Sequence, residues 1–215
     1  MSSNVSAARE GVLFVVSAPS GAGKTSLCKQ IVDIFPTLGH SISFTTRPQR
    51  SGEQDGVDYH FVSPEQFAAM VEDNEFAEWA EVHGNCYGTA RKTIDAARDA
   101  GEDLLLEIDW QGAAQLRGNG VDGVFVFILP PSFEELRKRL EGRGTDAPEV
   151  IEQRLQNARR ELQEAFRYDY QVVNDDFAQA LQELKSIVAA EHCRAVRLRG
   201  QFEKLFPAIV AEDTL

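Results

Sequence analysis

The chain has 215 residues, 43% of them hydrophobic and 26% charged, and a formal net charge of −12. Those proportions belong to an ordinary globular domain with a substantial core, long enough to carry small inserted subdomains. The negative charge argues against a binder of nucleic acid or of anionic membrane, both polyanions, and no apolar run approaches the roughly 20 residues that span a bilayer.

Residues 1–10, MSSNVSAARE, are small and polar and lack the apolar segment of a signal peptide, so a flexible tail and a cytoplasmic chain are expected. The three cysteines, Cys28, Cys86 and Cys193, are odd in number and show no metal-type pairing. Cys28 and Cys193 are expected to be buried or inert thiols in a reducing compartment. The scattered histidines (His40, His60, His83, His192) form no zinc pattern.

The apolar run Val12–Val16 predicts a buried strand. It leads into SAPSGAGKTS, residues 17–26, which nearly spells the phosphate loop G-x-x-x-x-G-K-[ST], with Ala18 at the first glycine position. Gly21 and Gly23 let backbone N–H groups turn toward phosphate oxygens. Lys24 supplies a point charge, and the Thr25 hydroxyl can ligate Mg²⁺. Leu27, Ile31, Ile34 and Phe35 at helical spacing predict a helix whose positive end faces the phosphates. Ala18 is tolerated wherever φ is negative. The whole stretch Ala18, Pro19, Ser20, Gly21, Ala22, Gly23, Lys24, Thr25 and Ser26 therefore reads as a nucleotide loop.

Residues 41–88 break the strand–helix rhythm. Short β-like pieces (Ser41–Phe44, Tyr59–Val62, Phe76–Val82) alternate with turns at Gly52, Gly56 and Gly84. A helix starts at Ser63-Pro64-Glu65-Gln66, with Ser63 as cap, Pro64 in the first turn and Gln66 at N3. This predicts a mixed α/β subdomain inserted between core segments 11–40 and 89–136. Within it, Arg47 and Arg50 flank the stiffening Pro48 and suit bidentate binding of a second phosphate. Tyr59 and Tyr87 can donate hydroxyls to the same oxygens, and Glu53 can hold an arginine in place.

Farther along, Thr89 is expected to cap a helix ending at Gly101. Leu104–Ile108, Val124–Leu129 and Tyr170–Val173 read as parallel strands covered on both faces. Ser132 and Glu135 form a capping box for a helix through Arg139, Asp146 starts another through Arg160, and Phe177, Leu181, Leu184 and Val188 mark the apolar face of a later one. Residues 137–154, unusually rich in arginine for an acidic chain, form a second short insertion; the core resumes over 155–215. Arg137 and Lys138 are expected on a solvated helix face.

The motifs TTRPQRSGEQDGVDYHF, EWAEVHGNCYGT, EIDWQG, ILPPS, RLEGRGTD and VVNDD follow one another as they do in guanylate kinases, which the chain resembles from about Val12 to Ala190. The resemblance implies an α/β fold: a parallel-sheet P-loop core, an inserted GMP-binding subdomain and a short helical lid. It also implies transfer of the γ-phosphoryl of ATP to GMP, with Mg²⁺ as cofactor. Ser43, Arg47, Arg50, Glu53, Tyr59, Glu78, Tyr87, Thr89 and Asp109 would line the GMP site. Lys24 and Thr25 would serve the ATP phosphates and Mg²⁺. Arg139, Arg143 and Arg154 would come from the lid, and Asn174 would lie near the adenine. Three departures from the family pattern stand out: Ala18, Cys86 where a Tyr is usual, and Glu107 where an Asp is usual. Glu107, at a strand end near the expected Mg²⁺ site, would act on the metal through water.

Base choice rests on Glu78 and Asp109. Guanine presents the donors N1–H and N2 amino, which a carboxylate accepts, whereas adenine N1 is a lone pair that a carboxylate repels. Without the resemblance, Glu78 reads as one of a run of solvated acids (Glu72, Asp73, Glu75, Glu78, Glu81). Two rivals remain: a monophosphate kinase for another base, and a catalytically dead module that binds phosphopeptides. The second typically loses the Gly-Lys-[ST] loop and the lid arginines, yet Gly23-Lys24-Thr25, Arg139 and Arg143 are present. Use of dGMP and a homo-oligomeric state stay open.

Overall fold

A computed structural model describes residues 11–82, 84–142, 147–207 and 209. In chain order the first half comprises β1 (Leu13–Ser17), α1 (Lys24–Ile34), β2 (Leu38–His40), β3 (Phe44–Thr45), β4 (His60–Phe61), α2 (Pro64–Glu72), β5 (Phe76–Val82), β6 (Asn85–Ala90) and α3 (Arg91–Ala100). Then come β7 (Asp103–Glu107), α4 (Trp110–Gly118), β8 (Val124–Leu129), α5 (Phe133–Glu141), α6 (Pro148–Gln163), β9 (Tyr170–Val173), α7 (Phe177–His192) and α8 (Arg199–Leu205).

Five parallel strands form the core sheet in the order β2-β7-β1-β8-β9. Central β1 is buried along its whole length, which is why it reads as a continuous apolar run rather than an alternating one. On one face, Leu27, Cys28 and Ile31 of α1 and Ala180, Leu184 and Val188 of α7 pack against Phe14, Val16 and Leu105. On the other, Ile94 of α3 and Ala113 and Leu116 of α4 cover Leu13, Val15 and Leu106. Removing one fully buried side chain such as Leu106→Ala costs about 2–5 kcal/mol.

The inserted subdomain is a four-stranded mixed sheet, β4-β3-β6-β5, with α2 packed on it through Phe67, which stacks on Phe76. Helix α2 carries the full predicted capping box: Ser63 Oγ accepts from Gln66 N, and Gln66 Oε1 accepts from Ser63 N. Helices α5 and α6 form their own small cluster, with Leu136, Leu140, Ile151 and Leu155 at its centre, and an Arg137–Glu152 ion pair fastens them at the surface.

Several local expectations change. Leu38–His40 is a short edge strand, and Asn85–Ala90 is a full strand whose glycine and polar residues hid it. Thr89 lies inside that strand and caps no helix; Ala90 is the N-cap of α3, without a side-chain bond, and Gly101 ends it in the left-handed region. At α5, Ser132 Oγ accepts from Glu135 N as predicted, but Glu135 spends its carboxylate on Arg139 and Lys138 rather than closing the box. Ile34 and Phe177 turn toward solvent, and Cys193 is exposed while Cys28 is buried. The expected tail at 1–10, His83, Arg143 and the helix start at Asp146 lie outside the described residues.

Candidate active site

The carboxyl ends of β1 and β7 open onto a cleft of about 520 Å³, walled on one side by the phosphate loop and on the other by β5 and β6. Open parallel sheets place ligands at such a point, where the chain crosses from one side of the first strand to the other.

On the loop side, Gly21 and Gly23 have φ of 93° and 91°, a region that L side chains rarely adopt. A Cβ on Gly23 would also lie 2.3 Å from Asn174 Nδ2. Ala18 has no positive φ, so the missing first glycine leaves no backbone strain. Lys24 Nζ donates to Ile108 O at 2.8 Å and lies 3.9 Å from Glu107 Oε1. Thr25 Oγ1 donates to the same Glu107 oxygen at 2.5 Å, and His40 Nε2 sits 3.8 Å from its other oxygen. Burial holds His40 below the ordinary histidine range, although Glu107 pulls the other way.

Facing the loop are Ser43, Tyr59, Tyr87, Glu78 and Asp109. Glu78 is only 3% exposed, unlike its acidic neighbours Glu72, Asp73, Glu75 and Glu81, which are solvated. Along β5, Glu78 and Ala80 fall on the buried phase of the strand and Trp79 and Glu81 on the exposed one. A β-bulge between Phe76 and Glu78 buries Ala77 as well, and the Glu78 carboxylate faces the cleft. Burial raises the Glu78 pKa from 4.5 to about 7. The nearby Thr89 hydroxyl lowers it, without completing a well-formed hydrogen bond, and the Asp109 charge raises it further. Asp109 is held as the N-cap of α4: Oδ1 accepts from Gly112 N and Oδ2 from Gln111 Nε2, each at 2.9 Å.

Behind the tyrosines, Arg47 is paired with Glu53 through two hydrogen bonds of 3.0 and 2.7 Å, and Glu53 also accepts from Arg50 N. The Arg47 guanidinium lies 5.3 Å from the Tyr59 ring, and burial pushes that phenol up to about 12. Buried Thr45 anchors this corner, its hydroxyl accepting from Arg47 N and donating to Cys86 O of β6. Arg50 is exposed at the rim.

The cleft thus gathers Lys24, Thr25, Ser43, Tyr59, Glu78, Tyr87, Glu107 and Asp109. Other predicted residues stand off its wall. Thr89 is fully buried, opposite Glu78 in the strand register. Asn174 is buried under the phosphate loop, where its Nδ2 donates to Ala22 O at 2.7 Å and props the loop. Arg139 is tied to Glu135 on α5, and Arg154 is half-buried on α6.

A guanylate kinase family model matches residues 10–191. The chain belongs to the guanylate kinase family. It is 66% identical to the guanylate kinase of Syntrophotalea carbinolica over 198 residues, covering 92% of this chain and 94% of that one. With the Geobacter sulfurreducens guanylate kinase the identity is 56%, covering 92% and 98%. Among solved structures, the guanylate kinase from Anaplasma phagocytophilum superposes with a TM-score of 0.76 at 35% identity, covering 93% of this chain and 97% of that one.

For a guanylate kinase, the cleft also holds residues that the sequence reasoning passed over: Trp110, Asn157, Arg160 and Glu161. Glu161, near the end of α6, has its pKa raised to about 7, first by burial and then by Asp109, while Lys24 and the Ser20 N–H draw it down. The usable signal was a charged residue on the inward stripe of α6, three positions beyond buried Ala158.

Proposed function

We propose that the cleft transfers the γ-phosphoryl group of ATP to GMP, giving ADP and GDP. The observation that carries this reading is a phosphate cradle facing two carboxylates, buried Glu78 and half-buried Asp109, across one cleft. Phosphoryl transfer asks little covalent chemistry of the protein; it needs both substrates in line and cations around the charge of the transferring group. The loop amides and Lys24 hold the donor phosphates. Arg47, set in orientation by Glu53, binds the phosphate of GMP together with Arg50, Tyr59 and Tyr87. A phosphate oxygen of GMP then attacks the γ-phosphorus and ADP departs with the bridging oxygen. The attacking group is already an anion, so no strong general base is required. Arg139, Arg143 and Arg154 are assigned to the lid, which excludes competing water once both substrates are bound.

The residues present fit Mg²⁺. Thr25 and Glu107 offer hard oxygen donors 2.5 Å apart beside the phosphate loop. Among the described residues no cluster of three metal-ligating side chains occurs. An ion here would be held by one or two protein oxygens plus substrate phosphates and water. Thr25 would hold it directly and Glu107 through water; when bound, it would neutralise charge on the β- and γ-phosphates. No helix among the described residues is long and apolar enough to cross a membrane.

A coupled assay of ADP formation with GMP, AMP, UMP and dTMP as acceptors tests the reading. GMP should be turned over with a kcat/KM at least ~10⁴-fold above AMP, because buried acceptors left unpaired by adenine are costly. Equal use of AMP and GMP would overturn it.

A further inference from the structure

Helix α4 meets the edge strand β5 in a way that base recognition alone does not require. Strand β5 is the outer strand of its sheet, so the outward backbone groups of Trp79 have no strand to pair with. Gln115 pairs with them instead. Its Oε1 accepts from Trp79 N at 3.2 Å and its Nε2 donates to Trp79 O at 2.6 Å. A side-chain amide thus replaces one residue of a missing strand and fixes the backbone immediately after Glu78. Three residues earlier on the same face of α4 stands Gly112. A Cβ there would lie 2.1 Å from Glu78 Oε2 and 2.9 Å from its Cδ. The Glu78 carboxylate therefore occupies the space that a side chain at 112 would fill. Since Asp109 is the N-cap of this helix, α4 fixes both carboxylates that face the acceptor base.

We infer that the Gly112–Gln115 face of α4 is a specificity-determining element of the acceptor site, with Gln115 and Gly112 as positioning residues for Glu78. This rests on the assignment of Glu78 to the acceptor base. A carboxylate reads two adjacent donors only when both oxygens are held in their plane, and a bulged edge strand supplies no such restraint by itself. The restraint comes from 36 residues away, through the Gln115 amide.

The test is Gln115→Leu, which keeps similar bulk and removes both hydrogen bonds. The KM for GMP should rise about tenfold and the GMP/AMP ratio of kcat/KM should narrow about tenfold, the scale of one or two lost positioning bonds. The KM for ATP should stay within about twofold, since the phosphate loop contacts neither residue. An unchanged GMP/AMP ratio, or an equal rise in both KM values, overturns the inference. Combining Gln115→Leu with Glu78→Gln should narrow the ratio no further than Glu78→Gln alone, because both act through one carboxylate; additive effects would assign the seam a structural role only. Gly112→Ala should abolish GMP binding while a fluorescent ATP analogue still binds, and retained GMP affinity would count against the proposal. If Gly112→Ala does not fold, Gln115→Leu decides alone. A wild-type enzyme with no preference for GMP over AMP would instead sink the assignment of the acceptor, a distinguishable failure.

Discussion

The two walls of the cleft are built on different principles. On the proposed assignment the donor wall is one uninterrupted stretch, residues 18–26, whose selectivity lies in backbone conformation: two glycines at φ of 93° and 91° and a helix start. The acceptor wall takes single side chains from β5, β6, the loops on either side of β3 and the N-cap of α4, and it arrives already paired. Arg47 is neutralised by Glu53, Asp109 by the helix it caps, and Glu78 by a proton up to about pH 7. Backbone amides carry only partial charge and can be left facing an empty cleft at little cost. Full charges in a partly buried wall cannot, so each of them has an internal partner before any substrate arrives.

The largest expected effect tests the donor wall. Lys24→Ala should lower kcat by about 10²–10³-fold with the KM for GMP little changed, because it removes a charge that acts on the transferring group. Steady-state kinetics with GMP saturating checks this, and turnover within threefold of wild type would break the division of labour between the walls. Next, Glu78→Gln should reduce kcat/KM for GMP by about 10²-fold and narrow the GMP/AMP ratio, the KM for ATP staying constant.

A smaller effect sharpens the contrast through pH. Because the folded-state pKa of Glu78 is raised from 4.5 to about 7, the empty protein holds a proton there that the unfolded chain releases. The associated stability is fully present below the unfolded value and is lost as pH rises through about 7; Glu161, also near 7, adds in the same sense. If Glu78 accepts from the guanine edge, as proposed, GMP requires the ionised carboxylate, so its KM should fall about tenfold between about pH 6 and pH 8, while the unliganded melting temperature falls too. Glu78→Gln should flatten the first trend and weaken the second. A KM for GMP that rises with pH would contradict the assignment.

The smallest effect concerns the support beneath the donor wall. Asn174→Ala leaves the buried Ala22 carbonyl without its 2.7 Å partner and should destabilise the fold by about 1–2 kcal/mol, read by thermal unfolding. A larger loss in ATP affinity than in stability would restore a direct role for Asn174 at the nucleotide.

Legibility in the sequence follows the same divide. The loop could be read because it is contiguous and its chemistry is dictated by glycine and lysine spacing. The strands β1, β7 and β8 could be read because burial on both faces gives each a continuous apolar run. The burial of Glu78 could not, since it depends on α4 packing over that phase of β5, more than thirty positions away in sequence. Gln115 resembles any polar residue on a surface helix, and its partner is 36 positions away. Glu161 was hidden for a related reason: its environment is assembled from the phosphate loop and α4, both remote from it in sequence. Short β2 and glycine-bearing β6 owe their strand conformation to neighbours rather than to their own composition.

Helix α6 gives the molecule a mechanical ratio. It is 16 residues long, and Glu161 near its C-terminal end touches the cleft beside Ser20, whereas its N-terminal end at Pro148 lies beyond the α5 contact. The thirteen steps of 1.5 Å between Pro148 and Glu161 make an arm of about 20 Å. A pivot of about ten degrees at the phosphate loop therefore sweeps the far end through about 3.5 Å, by the same helical geometry. Turned as a rigid rod about Glu161, the helix would move its far end by several ångströms and leave its contact with the cleft in place.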